Sequence, residues 1–598
     1  MKSWKFFLAA LAALTLVACG GKTPEPDPVR LSATPNSLTF EAAGGTQEVS
    51  ITTDIKPDVS AVDSWISLKE GSLSNNTFKL TVTAQAYDGT VERKTSIRII
   101  GNKMSLMIPV TQQTPPIKLA VDQSKLSFDR FGGEATLKVT SATQPTVTTD
   151  ASWCGVEAGT ISTSHETTVS VMASANRTFS PKTGTITITC GDETVTVIVS
   201  EEAGSVVPTA TTTALTPNEV FQAMAPGWNL GNQMDAIDNG VASETVWGNP
   251  KCTQATMDGV KAAGFKAVRI CVTWEGHIGP APYYKIEDSW LNRVAEIVGY
   301  AEKAGLVAIV NTHHDESYWQ DIKKAYNNTV QNEKVKDEMF CLWTQIAQRF
   351  VDKGEWLVFE SFNEIQDGGW GWSAEFRKDP QAQYKVLNEW SQAFVDAVRS
   401  TGGNNATRWL GVSGYASNPA LTIEGLVLPE DHTTENRLMV AVHDYDPYDY
   451  TLSSLDDDHP DVFKIHQWGH TADPGLRLAG DNEAAVVAVF DNLKAAYLDK
   501  GIPVYLGEMG CSRHADADYP YQKYYMEYFC KAAADRLLPM YVWDNGGVGI
   551  GPEKHGYIDH GTGKIVDKKA ATLIETMVKA VTTADPAYTL ESVYNSAP

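Results

Sequence analysis

The pattern of hydrophobic and polar residues changes once along the chain, near residue 205. From about residue 30 to 204, Val, Ile and Leu alternate with Thr, Ser and Lys, as in FKLTVT from Phe78, and helical periodicity is almost absent. Alternation with a period of two is typical of half-buried β-strands. This part of the chain is therefore predicted to be all-β.

The all-β part contains an internal repeat. LSATPNSLTFEAAGGTQEVSITT, from Leu31, aligns with LAVDQSKLSFDRFGGEATLKVTS, from Leu119, and Trp65 aligns with Trp153 at the same offset. Two repeated units with short strands at regular spacing predict two immunoglobulin-like β-sandwiches, at 30–114 and 118–204. A Trp that occurs once per unit is more typical of a core residue than of a ligand platform.

After a Thr- and Pro-rich stretch at 205–217, which is predicted to be a linker, short apolar segments alternate with amphipathic helical stretches. This alternation predicts βα units around a parallel sheet. Eight units predict an α/β TIM (β/α)8 barrel over 218–598. An open doubly wound sheet is the alternative, but no G-x-G-x-x-G motif follows the first strand. The predicted strands are 227–230, 267–272, 307–311, 357–362, 409–413, 438–443, 504–507 and 540–543.

Charge restricts the class of partner. The formal net charge of −24 disfavours nucleic acids and anionic membrane surfaces, because both repel an acidic protein. A neutral polymer is not repelled in this way. We expect a monomer that binds no nucleic acid.

The N-terminus is typical of an exported protein. Lys2 and Lys5 precede an apolar run at 6–17, which is too short for a spanning helix but suits a secretory signal. The residues LVAC, ending at Cys19, resemble a bacterial lipobox, which implies a signal peptide at 1–18 and lipidation of Cys19. The resemblance implies an outer-membrane lipoprotein, on the cell surface or the periplasmic side. An uncleaved structural helix is the alternative.

The other cysteines form no C-x-x-C pair, and their spacing fits neither a zinc cluster nor a dense disulfide framework. Cys154 and Cys190 lie in one predicted sandwich of an exported chain, so a disulfide between them is left open.

Polar side chains follow the predicted barrel strands at their carboxyl ends, where TIM barrels hold catalytic groups. Two are glutamates, Glu364 after the fourth strand and Glu508 after the seventh. Strands three apart face each other across the barrel mouth, and glycosidic hydrolysis needs such a carboxyl pair. His313, His443 and Arg269 are expected to hold Glu508 ionised through charge and hydrogen bonds. The others are Asn229, Asn232, His314, Asp315, Asn363, Tyr415, Tyr445, Trp543 and Asp544.

Several of these residues have alternative interpretations. His313 and His314 suggest a metal pair, but adjacent residues on a strand point apart and the sequence shows no third ligand, so no metal or other cofactor is predicted. Glu360 shares a strand face with Glu364 and is expected to be a buried partner of a barrel Arg or Lys. Five tryptophans in the expected upper loops are either sugar-stacking platforms or packing residues: Trp247, Trp274, Trp319, Trp370 and Trp372.

The ordered set Arg269, His313, Asn363-Glu364, His443-x-Tyr445, Glu508 and Trp543 resembles glycoside hydrolase family 5. GWNLGNQMDA, ETVWGNP, GFKAVRICVTW and HDYDPYDYT are similar to segments of its bacterial endo-β-1,4-glucanases and xyloglucanases. The resemblance covers about 218–580. One departure is Ile365, where Pro is commoner, in the turn after Glu364.

This resemblance implies roles for individual residues. Glu364 would be the acid/base and Glu508 the nucleophile of a retaining enzyme. Asn363 would bind the sugar 2-hydroxyl, Arg269 and Tyr445 would orient the nucleophile, and Trp543 would lie under the sugar at the cleavage site. The Leu-x-Phe, Gly-Gly and Ser-Trp pattern of the sandwiches resembles BACON domains, which implies carbohydrate-binding modules or spacers, and we favour spacers.

The resemblance therefore implies a retaining endo-β-1,4-glucanase acting on xyloglucan, mixed-linkage glucan or cellulose-like chains. A β-mannanase or exo-glucosidase is the alternative, because the same residues serve those reactions. A non-catalytic glycan-binding lipoprotein is a second class, which the retention of both Glu364 and Glu508 disfavours. The sequence leaves open which glucan is cut.

Overall fold

The computed structural model describes residues 30–101, 103–204, 209–315, 322–452, 463, 465–480 and 482–598. The predicted signal peptide and Cys19 lie outside the described residues. The chain divides into two units, one containing the first β-sandwich and the other containing nearly all of the second sandwich together with the barrel. No helix within the described ranges is long and apolar enough to cross a membrane.

The first sandwich consists of two four-stranded sheets, with strand orders β1-β3-β6-β5 and β2-β8-β7-β4. Apolar residues of each strand alternate between the core and solvent, so that Phe78, Leu80 and Val82 are buried in one strand. The strands are β1 Ser32–Thr34, β2 Leu38–Phe40, β3 Gly45–Thr52, β4 Asp58–Ala61, β5 Ile66–Ser74, β6 Thr77–Ala84, β7 Arg93–Gly101 and β8 Met104–Gln112.

The second sandwich repeats this topology, with strand orders β9-β11-β14-β13 and β10-β16-β15-β12. The repeated Gly-Gly pair has a steric cause, because a Cβ on Gly44 or Gly132 would lie 2.4 or 2.2 Å from a backbone carbonyl of the neighbouring strand. The strands are β9 Ala120–Val121, β10 Lys125–Phe128, β11 Gly133–Thr140, β12 Thr146–Thr149, β13 Cys154–Ala158, β14 Glu166–Ala173, β15 Lys182–Cys190 and β16 Glu193–Glu201. The predicted pair of sandwiches is confirmed.

The repeated Trp of each sandwich lies beside a basic side chain. Trp65 packs against the core of the first sandwich, and the Arg93 guanidinium lies 4.3 Å from its ring centroid. Lys182 lies 5.8 Å from the Trp153 ring in the second sandwich. Cys154 and Cys190 lie in opposite sheets, on β13 and β15, and no disulfide joins them in the described structure.

The eight predicted barrel strands form a closed parallel barrel, which confirms the predicted fold class. Several strands end earlier than predicted, because at the barrel mouth backbone N–H groups donate to side chains and not to the backbone of the neighbouring strand. Val272, for example, donates its N–H to Asn311 Oδ1 at 3.0 Å. The barrel strands are β17 Gly227–Leu230, β20 Ala267–Ile270, β21 Val307–Val310, β22 Leu357–Glu360, β23 Leu410–Ser413, β24 Leu438–His443, β25 Val504–Met509 and β26 Met540–Val542, and a hairpin after β17 contains β18 Ile237–Asp238 and β19 Val241–Ala242.

Helices surround the barrel, and each helix buries one of its faces against it. The helices are α1 Pro217–Met224, α2 Gln254–Ala262, α3 Asp288–Ala304, α4 Ile322–Ala325, α5 Thr329–Arg349, α6 Ala374–Lys378, α7 Pro380–Ser400, α8 Pro419–Gly425, α9 Tyr448–Thr451, α10 Asn482–Ala496, α11 Tyr519–Ala534, α12 Lys568–Thr582 and α13 Leu590–Tyr594. Gly305, in the left-handed conformation at φ 70°, ends α3 as its sequence position predicts.

The amino-terminal end of the barrel is closed by the segment before α1. Leu215 packs into the apolar cluster beneath the strands together with Tyr505 and Tyr541. Ala210 donates its N–H to the His432 carbonyl at 2.9 Å. The described part of the predicted linker, from 209 onward, is therefore bound to the barrel, because its backbone groups pair with those of the segment before β24.

The second sandwich packs directly against α5 of the barrel. Arg177, in the loop after β14, forms ion pairs with Glu333 and Asp337 of that helix. The N–H of Ala175 lies 3.4 Å from Cys341 Sγ, and Ala175 belongs to the same buried apolar cluster as the barrel core. This sandwich and the barrel thus share a packed interface.

Candidate active site

Glu508 is placed at the barrel mouth by an irregular part of β25. The register of β25 shifts against β24 after Val442 and against β26 between Leu506 and Met509. Such irregularities re-aim side chains at barrel rims. Glu508 is 6% exposed. Arg269 Nη1 donates to its Oε1 at 2.8 Å and Tyr445 Oη donates to its Oε2 at 3.0 Å.

Glu364 lies on the opposite side of the mouth, beyond the end of β22. His443 Nδ1 lies 2.6 Å from Glu364 Oε1, and the Glu364 side chain keeps 22% of its exposure. A carboxylate oxygen of Glu364, one of Glu508 and a ring nitrogen of His443 all lie within 4.8 Å of one another. The two predicted carboxylates therefore form a close pair.

A buried guanidinium supports this pair from below. Arg269 is fully buried, and its Nε and Nη2 donate to Glu360 Oε1 at 3.0 and 2.7 Å. Nη2 also donates to Asn363 Oδ1 at 2.8 Å, and Tyr505 Oη donates to Glu360 Oε2 at 2.7 Å. The predicted pairing of Glu360 with a barrel Arg is confirmed, and this pairing fixes the guanidinium under Glu508.

Burial sets the protonation of the site. Desolvation is the main reason that the pKa of Glu364 is raised to about 7. Desolvation also raises the pKa of Glu508, but the neighbouring His443 and Arg269 act against this rise. Glu508, which accepts from Arg269 and Tyr445, is thus better suited to remain ionised, and Glu364 to keep its proton.

His313 and His443 are both buried at the barrel mouth. Burial lowers the pKa of His443 to about 4 and that of His313 well below its usual value, with the Arg269 charge acting in the same direction. Both imidazoles are therefore neutral near pH 7. Arg269 therefore supplies the permanent positive charge beside Glu508, and His443 Nδ1 lies 3.7 Å from Glu508 Oε1.

The His313-His314 pair has a third neighbour that the sequence did not show. Asp235 lies in range, with one ligand-type atom of each residue within 4.8 Å of the others. Both Asp235 oxygens already accept backbone N–H groups, from Asn232 at 2.9 Å and Gln233 at 2.7 Å. These bonds give Asp235 a structural role in the turn after β17.

The predicted site residues surround one cleft of about 790 Å³. Arg269 lies beneath it, and nine predicted residues line it: Asn232, His313, His314, Asn363, Glu364, His443, Tyr445, Glu508 and Trp543. Four other residues at predicted strand ends do not line the cleft, because they are buried: Asn229, Asp315, Tyr415 and Asp544. The sequence interpretation missed Glu553, Asp446 and Tyr448, which also line it. The motif HDYDPYDYT contained the last two, whereas no sequence pattern indicated Glu553.

The five candidate tryptophans separate into different groups. Trp370 and Trp372 line the cleft and are 52% and 74% exposed. Trp247 is 43% exposed and its ring lies 5.7 Å from that of His314. Trp274 is fully buried, and its Nε1 donates to the Asn311 carbonyl at 3.1 Å, so the packing alternative applies to it. Trp319 lies outside the described residues.

Comparison with known protein families agrees with this geometry. The cellulase model, glycosyl hydrolase family 5, matches residues 231–549. The chain belongs to glycosyl hydrolase family 5. The BACON model matches 53–113 and 134–200, within the two sandwiches.

Three relatives show the extent of the similarity. The chain is 35% identical over 358 residues to Endoglucanase A of Paenibacillus barcinonensis, covering 58% of this chain and 85% of the relative. It is 30% identical over 452 residues to a xyloglucan-specific endo-beta-1,4-glucanase of Bacteroides ovatus, covering 72% and 86%. The solved structure of a GH5-4 broad specificity endoglucanase from Bacteroides salanitronis is 50% identical, with a TM-score of 0.59, covering 63% and 98%. The protein is a family 5 endoglucanase.

Proposed function

We propose that this family 5 endoglucanase cleaves β-1,4-glucan by a retaining double displacement, with Glu508 as nucleophile and Glu364 as acid/base. This proposal rests on the distance between the two carboxyls, because one oxygen of each lies within 4.8 Å of the other. Retaining enzymes place the two carboxyls about 5–5.5 Å apart, whereas inverting enzymes need about 6.5–9.5 Å to admit a water. The pair is too close for that water, so the attack comes from the carboxylate.

The two steps follow from the contacts of each carboxyl. In the first step a Glu508 oxygen bonds to the anomeric carbon, the glycosidic bond breaks, and Glu364 gives its proton to the leaving oxygen. In the second step Glu364, now a carboxylate, takes a proton from water, and the resulting hydroxide displaces Glu508 from the anomeric carbon. Arg269 and Tyr445 hold Glu508 in place through both steps.

Neighbouring groups suit the sugar at the cleavage site. Asn363 Oδ1 is occupied by Arg269 Nη2, which leaves the Asn363 amide NH₂ to donate to a sugar hydroxyl. The Trp543 ring lies parallel to that of His313, at 6.0 Å between centroids, and lines the cleft. We assign Trp543 as the platform under the sugar and Asn363 as the donor to its 2-hydroxyl.

The substrate we propose is a β-1,4-glucan, including branched xyloglucan and mixed-linkage glucan. Trp370 and Trp372 are exposed at the cleft on the loop that follows Glu364. If Glu364 protonates the leaving oxygen, the leaving part of the polysaccharide lies beside this loop. Exposed rings in this position stack on sugar units without demanding one branching pattern. The relatives include one named broad-specificity endoglucanase and one named xyloglucan-specific enzyme.

A substrate panel tests this assignment. Xyloglucan, barley β-glucan, carboxymethylcellulose and glucomannan are each digested, and product sizes are followed from the first turnover. We expect internal cleavage of the glucans, with oligosaccharides before glucose. Activity confined to mannan-type chains, or glucose as the sole early product, would support the mannanase or exo-glucosidase alternative instead.

Labelling tests the nucleophile directly. A 2-deoxy-2-fluoro cello-oligosaccharide with a good leaving group slows the second step, so the glycosyl ester accumulates. Peptide mass analysis is expected to place the label on Glu508. A label on another residue would overturn the assignment.

We also propose that Cys19 carries a lipid that anchors the enzyme to the outer membrane, with the sandwiches as spacers. The basic N-terminus, the apolar run and LVAC support this proposal. Metabolic labelling with a fatty acid is expected to mark the wild-type chain but not Cys19→Ala. Equal labelling of both chains would contradict it.

A further inference from the structure

Glu553 is a further carboxylate in the cleft, in addition to the catalytic pair and Asp446. It lies on the loop between β26 and α12, is exposed, and lines the same cleft as Glu364 and Trp543. The mechanism above does not use it.

The loop holds Glu553 in an unfavourable backbone conformation. Its φ is 55°, in the left-handed region that residues with a Cβ rarely adopt. Asn545 fixes this conformation, because its Nδ2 donates to the Glu553 carbonyl at 2.9 Å and its Oδ1 accepts from the His555 N–H at 3.2 Å. Asn545 is two residues from Trp543, so one short segment positions both the ring and the carboxylate. Strained residues of this kind cluster at functional sites.

The Glu553 carboxylate remains available to a ligand. Its nearest side-chain donor contact is Asn545 Nδ2, which lies 3.5 Å from Oε2 and is too distant for a strong hydrogen bond. Within the described part of the chain, no Lys, Arg or His nitrogen lies within ion-pair distance of it. A carboxylate offers about four acceptor positions, and hydroxyl groups of a sugar are matching donors.

We propose that Glu553 is a substrate-binding residue that accepts hydrogen bonds from hydroxyl groups of the glucosyl unit at Trp543. This inference rests on the proposed function, which places the sugar over that ring. Burial and the Glu364 charge raise the pKa of Glu553, while Asn545 and Lys554 act against this rise. Hydrogen bonds to the ionised form of Glu553 are roughly twice as strong as neutral ones. Glu553 would therefore favour sugars that present a hydroxyl at this position over those that lack it.

The test compares Glu553→Gly, Glu553→Gln and a control, Glu575→Gln, an exposed residue of α12 with the same charge change. Glycine adopts a positive φ without strain, so Glu553→Gly is expected to melt at or above the wild-type temperature. Its kcat/KM on a cello-oligosaccharide is expected to fall about 10- to 100-fold, with a smaller loss in Glu553→Gln and none in Glu575→Gln.

A binding measurement separates this inference from the proposed function. Oligosaccharide affinity is measured by calorimetry in the Glu508→Gln background with and without Glu553→Gly. A roughly tenfold or greater weakening is expected. Wild-type affinity and kcat/KM in a well-folded Glu553→Gly chain would overturn the role of Glu553, whereas a wild-type enzyme inactive on every β-glucan would overturn the proposed function itself.

Discussion

A carboxylate oxygen of Glu364 and one of Glu508 lie within 4.8 Å of each other, in a site with a buried Arg269 beneath it. His443 Nδ1 lies 2.6 Å from the first residue and 3.7 Å from the second. Because burial keeps His443 neutral, the site is suited to one negative charge and one proton on the carboxyl pair. That asymmetry is what a double displacement needs at its start.

The activity is expected to depend on pH in a bell-shaped way. Burial raises the pKa of Glu364 to about 7, so the acid form is present below that pH and is lost above it. Glu508 must be ionised, so activity also falls at the acidic end. The measurement is kcat/KM on a soluble β-glucan from pH 4 to 9, and a rate that still rises above pH 8 would contradict the assignment of Glu364.

Glu364→Ala is expected to affect substrates unequally. Turnover of polymer should fall by a factor on the order of 10²–10⁴, because the leaving oxygen is no longer protonated. Aryl glycosides with acidic leaving groups should keep their first step, and added azide should restore turnover by forming a β-glycosyl azide. The wild-type enzyme with azide is the control. Equal losses on both substrates would count against an acid/base role.

Much of the fold is predictable from local patterns. Short apolar segments separated by amphipathic helices predict each barrel strand, and the Gly44 and Gly132 positions reflect real contacts with a neighbouring strand. The polar residues at strand ends follow from the barrel topology, so Glu364 and Glu508 are found without structural information.

Other features depend on contacts that no local pattern specifies. Trp274 looks like a loop residue, but its loop folds inward and its indole bonds to the Asn311 carbonyl. Glu553 lies in a Gly-rich loop far from any strand end, and only the tertiary position of Asn545 makes it a cleft residue. The neutral state of His443 depends on burial, which a strand-end position does not reveal.

The second sandwich is expected to stabilise the barrel. Neither contributes a residue to the cleft lining described above, so removal of either should leave kcat/KM on short oligosaccharides close to wild type. The chain without residues 1–118 is the reference for the melting temperature of the barrel. Removing residues up to 208 should lower it by several degrees, because the surface of α5 around Cys341 loses its packing against Ala175. Equal melting temperatures for the two truncated chains would show that this interface adds no stability.

A buried carboxyl in the second sandwich is expected to make its stability depend on pH. In the first sandwich Gln112 Nε2 donates to the Gln85 carbonyl at 2.9 Å. Glu201 occupies the corresponding position, is 2% exposed, and can donate only when protonated. Desolvation raises its pKa to about 7, although Lys182 Nζ, 3.2 Å from its Oε2, acts against this rise.

The folded state favours the protonated form of Glu201. The contribution of this group to the free energy of unfolding is therefore complete below the pKa of Glu201 in the unfolded chain, and it is lost as the pH rises through about 7. Glu201→Gln should therefore stabilise the second sandwich at pH 8 by about 1–3 kcal/mol and change little at pH 4. Gln112→Glu is the reciprocal control and should destabilise the first sandwich at pH 8. Chemical denaturation at both pH values measures these effects, and an equal effect of Glu201→Gln at both would refute the explanation.

The stereochemistry of the first product tests the central claim most directly. Two displacements at the anomeric carbon, first by Glu508 and then by water activated by Glu364, give net retention. Proton NMR of a β-1,4-glucan oligosaccharide digest, recorded before mutarotation, is predicted to show the β-anomer as the initial product. An initial α-anomer would contradict the assignment of Glu508 as a nucleophile and of Glu364 as its partner.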